Sequence, residues 1–123
     1  MTTDATEAWE IWHNPSCSKS RAALSALRAA GHDVVVRAYL DHPPTAEELT
    51  EMLRRLGLEP WEVARSREAH EAGIDLPREV GARAAWIEAL AAHPRAIQRP
   101  IVTTPDGGAL VVRDTETLDR ITG

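Results

Sequence analysis

The chain has 123 residues, a formal net charge of −5 and a single cysteine. Its length suits one domain that buries its apolar surface without disulfides or metal. The net negative charge argues against a general nucleic-acid-binding surface. A single cysteine excludes an internal disulfide. No segment has the pattern of a signal peptide or a membrane-spanning helix. We therefore expect one cytoplasmic domain over residues 1–123, with 1–7 flexible and with neither membrane nor nucleic acid as a direct partner.

The first third of the chain predicts a strand, a helix and a second strand. Residues 8–12 alternate weakly in polarity, as in a strand. Ser16 is a plausible helix N-cap, and apolar residues at helical spacing continue until Gly31 supplies a stop. Residues 34–40 are rich in β-branched side chains. This order predicts a βαβ unit with parallel strands.

The middle of the chain predicts helices only. The run Thr45-Ala46-Glu47-Glu48 is a capping box, and the helix that it opens ends at Gly57. From residue 59 to residue 93 the helical pattern is interrupted, which predicts two or three short helices with Pro60 and Pro77 at their starts.

The end of the chain predicts a hairpin and a short last helix. Residues 100–104 and 109–112 flank Pro105-Asp106-Gly107-Gly108, where glycine supplies a positive φ, and residues 115–121 have a helical pattern. Pro100 would begin the third strand, where a missing N–H is tolerated. The whole order predicts an α/β, thioredoxin-like fold: a four-stranded mixed sheet with a helical insertion before the C-terminal β-hairpin.

Cys17 follows the first strand at the start of the helix and is a candidate nucleophile. Helix-start amide N–H groups, with Lys19 and Arg21 nearby, favour a thiolate and can also hold an oxyanion. The alternative is a small buried hydrophobe. His13 can stabilise a thiolate as imidazolium or pass a proton; alternatively, it is a strand-end histidine bonded to backbone.

Several other chemistries are disfavoured by the residues around Cys17. Ser20 occupies the second position of a Cys-x-x-Cys pair, so a resolving thiol must come from another molecule. Ala23 stands where a cysteine phosphatase loop has arginine, and the histidines are too scattered to predict a metal site. Asn14 and Ser16 are candidate substrate contacts, although Asn14 also suits a simple turn.

Three arginines at predicted element ends form a candidate anion site. Arg65 follows a short helical segment, Arg99 precedes Pro100 and Arg113 follows the last strand. Guanidinium groups offer paired N–H donors that suit a tetrahedral oxyanion, whereas isolated arginines are usually solvated. Arg67 is the alternative to Arg65 for this role.

Three ordered motifs resemble one family. They are His13-Asn14-Pro15-x-Cys17, the connection Asp41-His42-Pro43-Pro44-Thr45, and the segment from Arg99 to Pro105. Together they resemble the glutaredoxin-coupled ArsC arsenate reductases, and the similarity extends from about Glu10 to Ile121.

The resemblance implies a reaction and a set of site residues. Cys17 would attack arsenate, His13 would stabilise its thiolate, and Arg65, Arg99 and Arg113 would hold the anion. Glutathione with glutaredoxin, or an equivalent external thiol, would then release arsenite, with no bound cofactor and no metal.

Two other functions are compatible with the sequence. The same fold resembles Spx-type regulators, which bind RNA polymerase and sense thiol oxidation, although the dithiol typical of that switch is missing. A glutaredoxin-like thiol transferase that acts on something other than arsenate is the third possibility.

Overall fold

The computed structural model describes residues 9–98, 100–112, 117 and 119–120. The strands are β1 (Trp9–His13), β2 (Val34–Ala38), β3 (Ile101–Thr103) and β4 (Ala109–Val111). The helices are α1 (Ser18–Ala29), α2 (Ala46–Leu56), α3 (Ser66–Glu71) and α4 (Arg83–Ala92), and the 3₁₀ turns are Pro60–Glu62, Val80–Ala82 and Pro94–Ala96.

The described residues form two compact units. The sheet unit contains those before Leu40 and after Gln98, and the helical unit is Leu40–Gln98. The single domain over residues 1–123 stays a prediction, and residues 1–7 lie outside the described part.

The sheet has the strand order β2-β1-β3-β4. Strand β1 pairs parallel with β2 and antiparallel with β3, and β3 pairs antiparallel with β4. Helix α1 is the connection between the parallel strands, and α2, α3 and α4 precede the β3–β4 hairpin in the chain. These features confirm the predicted α/β, thioredoxin-like fold with a helical insertion before the hairpin.

Helix α1 packs one apolar face against the sheet. Leu27 of that face is fully buried with Ile11 of β1 and Val102 of β3 in one cluster. Complete burial of a side chain of this size stabilises the fold by about 1.5–3 kcal/mol. The packing fixes α1, and therefore its first turn, against the end of the central strand β1.

The strand ends differ from the sequence prediction by one or two residues. Strand β2 ends at Ala38, because Tyr39 and Leu40 already belong to a turn. Strand β3 begins at Ile101, after Pro100, whose carbonyl accepts the Val112 N–H at 2.9 Å. The hairpin turn uses Gly107 at φ 91°, which confirms the role predicted for glycine there.

Helix α2 begins and ends as predicted. The Glu48 N–H donates to Thr45 Oγ1 at 3.1 Å, and the Thr45 N–H donates to Glu48 Oε1 at 3.0 Å. Gly57 follows the helix in the left-handed conformation at φ 68°. The capping box and the glycine stop are both confirmed.

The prolines of the helical unit play different parts from those predicted. Pro60 opens a 3₁₀ turn rather than an α-helix. Pro77 begins no helix, so that prediction was wrong: its carbonyl accepts the indole N–H of Trp86 at 2.9 Å, which ties the loop before α4 to the helix. Of the predicted last helix, residues 117, 119 and 120 are helical, and the others lie outside the described residues.

Replacing Thr45 with alanine removes one half of the capping box, so we expect Thr45→Ala to lower the free energy of unfolding by about 1 kcal/mol. Urea denaturation followed by circular dichroism measures the change. Thr50→Ala is the matched control, because Thr50 is exposed in the same helix and its hydroxyl bonds only the Ala46 carbonyl of its own helix. Equal losses in the two variants would contradict the capping role.

Candidate active site

Cys17 is the N-cap residue of α1, and its side chain is partly exposed. Its backbone is extended, at φ −100° and ψ 122°, and its N–H donates to the Asn14 carbonyl at 3.0 Å. The chain therefore turns tightly between β1 and α1. This turn places the thiol at the helix start, as the sequence predicted.

The turn is held by the Asn14 side chain. Asn14 Oδ1 accepts the Ser16 N–H at 2.9 Å, and Asn14 is buried whereas Ser16 is exposed. The prediction of Ser16 as N-cap was wrong, because this side-chain bond extends the turn by one residue and helix geometry starts only after Cys17. The substrate contacts predicted for Asn14 and Ser16 stay predictions.

Ser20 connects the end of β1 to the start of α1. Its hydroxyl oxygen lies 2.6 Å from His13 Nδ1 and accepts the Asn14 N–H at 3.0 Å, and the residue is completely buried. The sequence prediction considered Ser20 only as a missing cysteine. The sequence does contain a signal for this role. Ser20 lies one turn before Ala23 and Leu24 on the buried face of α1, and a polar side chain buried there needs a hydrogen-bond partner.

Burial lowers the pKa of His13 below its ordinary value of 6.5, and the positive charges of Arg28 and Arg21 lower it further. The lowered pKa favours the neutral imidazole at pH 7. Of the two roles predicted for His13, a neutral ring favours accepting or passing a proton over stabilising a thiolate as imidazolium.

The start of α1 is electropositive. Its first turn contains no acidic residue, and Lys19 is exposed there. Arg21 Nη1 donates to the Pro15 carbonyl at 2.7 Å, which holds a second cation beside the turn. Helix geometry leaves the first amide N–H groups without intrahelical acceptors, so they and these cations favour an anion at this end.

Arg65 belongs to the helical unit and is the N-cap residue of α3. Its side chain is 27% exposed and its Nη1 lies 2.8 Å from Glu68 Oε2. Arg67, the alternative, has a side chain that is 87% exposed and pairs with Glu71 on the surface. The side chain of Arg65 is therefore much the less exposed of the two.

Arg99 and Arg113 lie outside the described residues. The segment before Arg99 is described: the Gln98 N–H donates to the Val63 carbonyl, and the Arg65 N–H donates to the Ala96 carbonyl, both at 2.7 Å. These bonds fix the backbone at Arg65. The three-arginine anion site stays a prediction.

Within residues 9–98 and 100–112 and the three described positions after them, no group of three or more histidine, cysteine, aspartate or glutamate side chains could hold a metal ion. The helices in the same residues are all too short or too polar to cross a membrane.

A family model described as the ArsC family matches residues 12–121. The chain belongs to the ArsC family. It is 39% identical over 118 residues to an arsenate reductase of Neisseria meningitidis serogroup A, which covers 91% of this chain and 96% of that protein. It is 50% identical over 110 residues to a Streptomyces viridochromogenes protein described as uncharacterized and lying in the glnII region, which covers 87% and 92% of the two chains.

Among solved structures, an arsenate reductase from Vibrio cholerae is similar to this ArsC-family chain throughout. The two superpose with a TM-score of 0.82 at 35% sequence identity, over 94% of this chain and 98% of that one. A TM-score this high over nearly the whole of both chains means that they share one fold.

We expect Ser20→Ala to lower the free energy of unfolding by about 1–3 kcal/mol, because the buried Asn14 N–H loses its acceptor and His13 loses its partner. Urea denaturation at neutral pH measures the loss. Ser18→Ala is the control, since Ser18 is exposed in the same turn. A Ser20→Ala variant as stable as the control would show that the two hydrogen bonds do not hold the turn.

His13 also predicts a dependence of stability on pH. Because the pKa of His13 is lowered in the folded chain, the unfolded chain binds the proton first as pH falls below 6.5. Stability should therefore be complete above that pH and should decrease as pH falls from 6.5 towards the folded pKa.

Urea midpoints at about pH 7.5 and about pH 5.5, either side of an ordinary histidine pKa, measure this effect. His13→Asn, which places an amide where Nδ1 lies and does not titrate, should lose less stability on acidification than the unmutated chain. His70→Asn removes an exposed histidine and should behave like the unmutated chain. Parallel pH profiles for the unmutated chain and His13→Asn would exclude His13 as the source.

Proposed function

We propose that this chain reduces arsenate to arsenite, using Cys17 as the nucleophile and an external thiol as the reductant. The observation that carries the proposal is the position of Cys17 at the N-cap of α1, beside amide N–H groups that helix geometry leaves without acceptors. The arsenate reductases from Neisseria and Vibrio, at 39% and 35% identity, support arsenate as the oxyanion.

In the first step the Cys17 thiolate attacks arsenic. A sulfur–arsenic bond forms, and one arsenate oxygen leaves as water after it has gained protons. The helix start, with Lys19 and Arg21, supports both the thiolate and the negatively charged adduct. The proposal needs no metal, because protons and positive charge are supplied by side chains and amides.

His13 would handle the proton in this step. A neutral imidazole can accept a proton from the thiol and return it to the leaving oxygen, whereas an imidazolium has no proton acceptor left. The lowered pKa of His13 keeps the ring in its accepting form at pH 7. Its contact with Ser20 Oγ restrains the ring.

The two electrons that convert As(V) to As(III) come from two sulfur atoms, which end in a disulfide. Cys17 supplies one, and the chain has no second cysteine. The second must therefore be a thiol from another molecule, for which glutathione is our candidate. The resulting mixed disulfide would be reduced by glutaredoxin or an equivalent donor, which restores Cys17.

Arg65, Arg99 and Arg113 are our candidates for the anion-binding side chains. Their guanidinium groups can donate paired hydrogen bonds to a tetrahedral oxyanion and can neutralise the charge of the adduct. The backbone bonds that fix Arg65 support this choice over Arg67.

A coupled assay with glutathione, glutaredoxin, glutathione reductase and NADPH tests the reaction. We expect arsenate-dependent NADPH oxidation by the unmutated chain and none by Cys17→Ser, because a serine hydroxyl is a far weaker nucleophile at neutral pH.

Arg99→Ala should raise KM or lower kcat by orders of magnitude, because it removes a charge that we assign to anion binding.

Arg54→Ala is the matched arginine control. Arg54 is exposed on α2 and pairs with Glu51, so its removal should leave kcat/KM unchanged. Absence of turnover by the unmutated chain with glutaredoxin, thioredoxin and free thiols as donors would exclude the proposed reaction. Turnover retained by Cys17→Ser would exclude Cys17 as its nucleophile.

A further inference from the structure

We propose that Glu68 is a positioning residue for anion binding: it holds Nη1 of Arg65, so that the Nε–Nη2 edge of the same guanidinium is presented to the oxyanion. This inference rests on the proposed function, in which Arg65 is one of the anion-binding side chains. It adds to that site a carboxylate that never touches the substrate.

The backbone of Arg65 is already fixed by the helical unit. Its N–H donates to the Ala96 carbonyl at 2.7 Å, and its own carbonyl accepts the Ala69 N–H at 2.8 Å. An isolated β-bridge between Ala64 and Ile97 holds the preceding residue in the same way. The remaining freedom of Arg65 lies in its long side chain, which is where a positioning residue can act.

The contact between Arg65 and Glu68 differs from the surface ion pairs around it. The side chains of Arg65 and Glu68 are 27% and 24% exposed, and Nη1 and Oε2 are 2.8 Å apart. In the neighbouring pair on the same helix, the side chains of Arg67 and Glu71 are 87% and 61% exposed. A less hydrated pair restrains its side chains more strongly, because solvent screens it less.

The atoms that Glu68 contacts show whether it positions Arg65 for an anion or competes with the anion for Arg65. Glu59 binds Arg83 through both Nε and Nη2, at 2.8 and 2.6 Å, and so occupies the edge that a bidentate oxyanion would need. Glu68 instead contacts Nη1 of Arg65, and among the described residues no acceptor lies on Nε or Nη2 of that side chain. Glu68 therefore leaves the edge that suits an oxyanion unused.

Such positioning would raise anion affinity by restricting the rotamers of Arg65 before the anion arrives. The cost is one negative charge near the site, which partly offsets the benefit. We therefore expect a moderate effect of Glu68 on KM and little effect on kcat, since the carboxylate does not touch the reacting atoms.

The steady-state kinetics of Glu68→Ala test the inference. We expect KM for arsenate to rise about two- to fivefold, which corresponds to loss of a modest ion pair, with kcat unchanged. Glu68→Gln keeps the size of the side chain but removes the charge of the ion pair, so it should raise KM to a similar extent. Glu71→Ala, on the same helix, is the matched control and should leave KM unchanged, because its pair with Arg67 is exposed.

Arg65→Ala, measured in parallel, separates this inference from the function on which it rests. A raised KM in Arg65→Ala with an unchanged KM in Glu68→Ala would overturn the positioning role alone. A lowered KM in Glu68→Ala would also overturn it, because it would identify Glu68 as a competitor of the anion. An unchanged KM in Arg65→Ala would overturn both the positioning role and the part assigned to Arg65.

A second readout does not depend on turnover. Arsenate or sulfate should protect Cys17 from alkylation by iodoacetamide, and the half-protecting concentration should rise in Glu68→Ala but not in Glu71→Ala. If the chain turned over no arsenate yet showed this pattern, the proposed reaction would fail and the positioning of an anion-binding Arg65 would stand. If the half-protecting concentration were the same in both variants, the positioning role would fail. Thermal unfolding of both variants shows whether they are equally folded.

Discussion

The candidate active site depends on one buried hydroxyl. Ser20 lies in α1, and its Oγ contacts two residues at the end of β1. It hydrogen-bonds His13 Nδ1 and accepts the N–H of Asn14. The two contacts join residues that are seven and six positions apart in the chain, and so they hold the intervening turn, with Cys17, at the helix start. Because α1 is itself packed on the sheet through Leu27, the position of the thiol is set by the core of the sheet unit.

Much of this fold could be predicted from the sequence because its signals are local. The capping box at Thr45 and the glycines at 57 and 107 act within a few residues, and each is confirmed. The prediction for Pro77 was wrong because it used a local rule, that proline is common at helix starts. The Pro77 carbonyl instead accepts a hydrogen bond from the indole of Trp86, nine residues away. A contact of that kind leaves no local pattern in the sequence.

The candidate site shows the same division between local and distant signals. The sequence placed Cys17 and His13 at the strand-to-helix junction, since the spacing of two elements is a local property. It could not assign the charge of His13, because the lowered pKa follows from burial and from Arg28, which lies fifteen positions further along the chain. The sequence also could not separate Arg65 from Arg67, because the lower exposure of the Arg65 side chain is a property of the folded helical unit, where the Arg65 N–H bonds the distant Ala96 carbonyl.

Position 20 bears on the external thiol that the proposed reaction requires. A dithiol protein of this fold would place its second sulfur there, but here the position is fully buried and its oxygen is already used by His13 and Asn14. A thiol is a weak donor and a weak acceptor, so it would hold that turn less well than a hydroxyl. A cysteine at this position would therefore gain the ability to resolve the proposed Cys17 adduct at the expense of the two hydrogen bonds that hold the turn. In the reaction proposed above, serine at this position keeps the turn at Cys17 hydrogen-bonded, and the second sulfur comes from the external thiol.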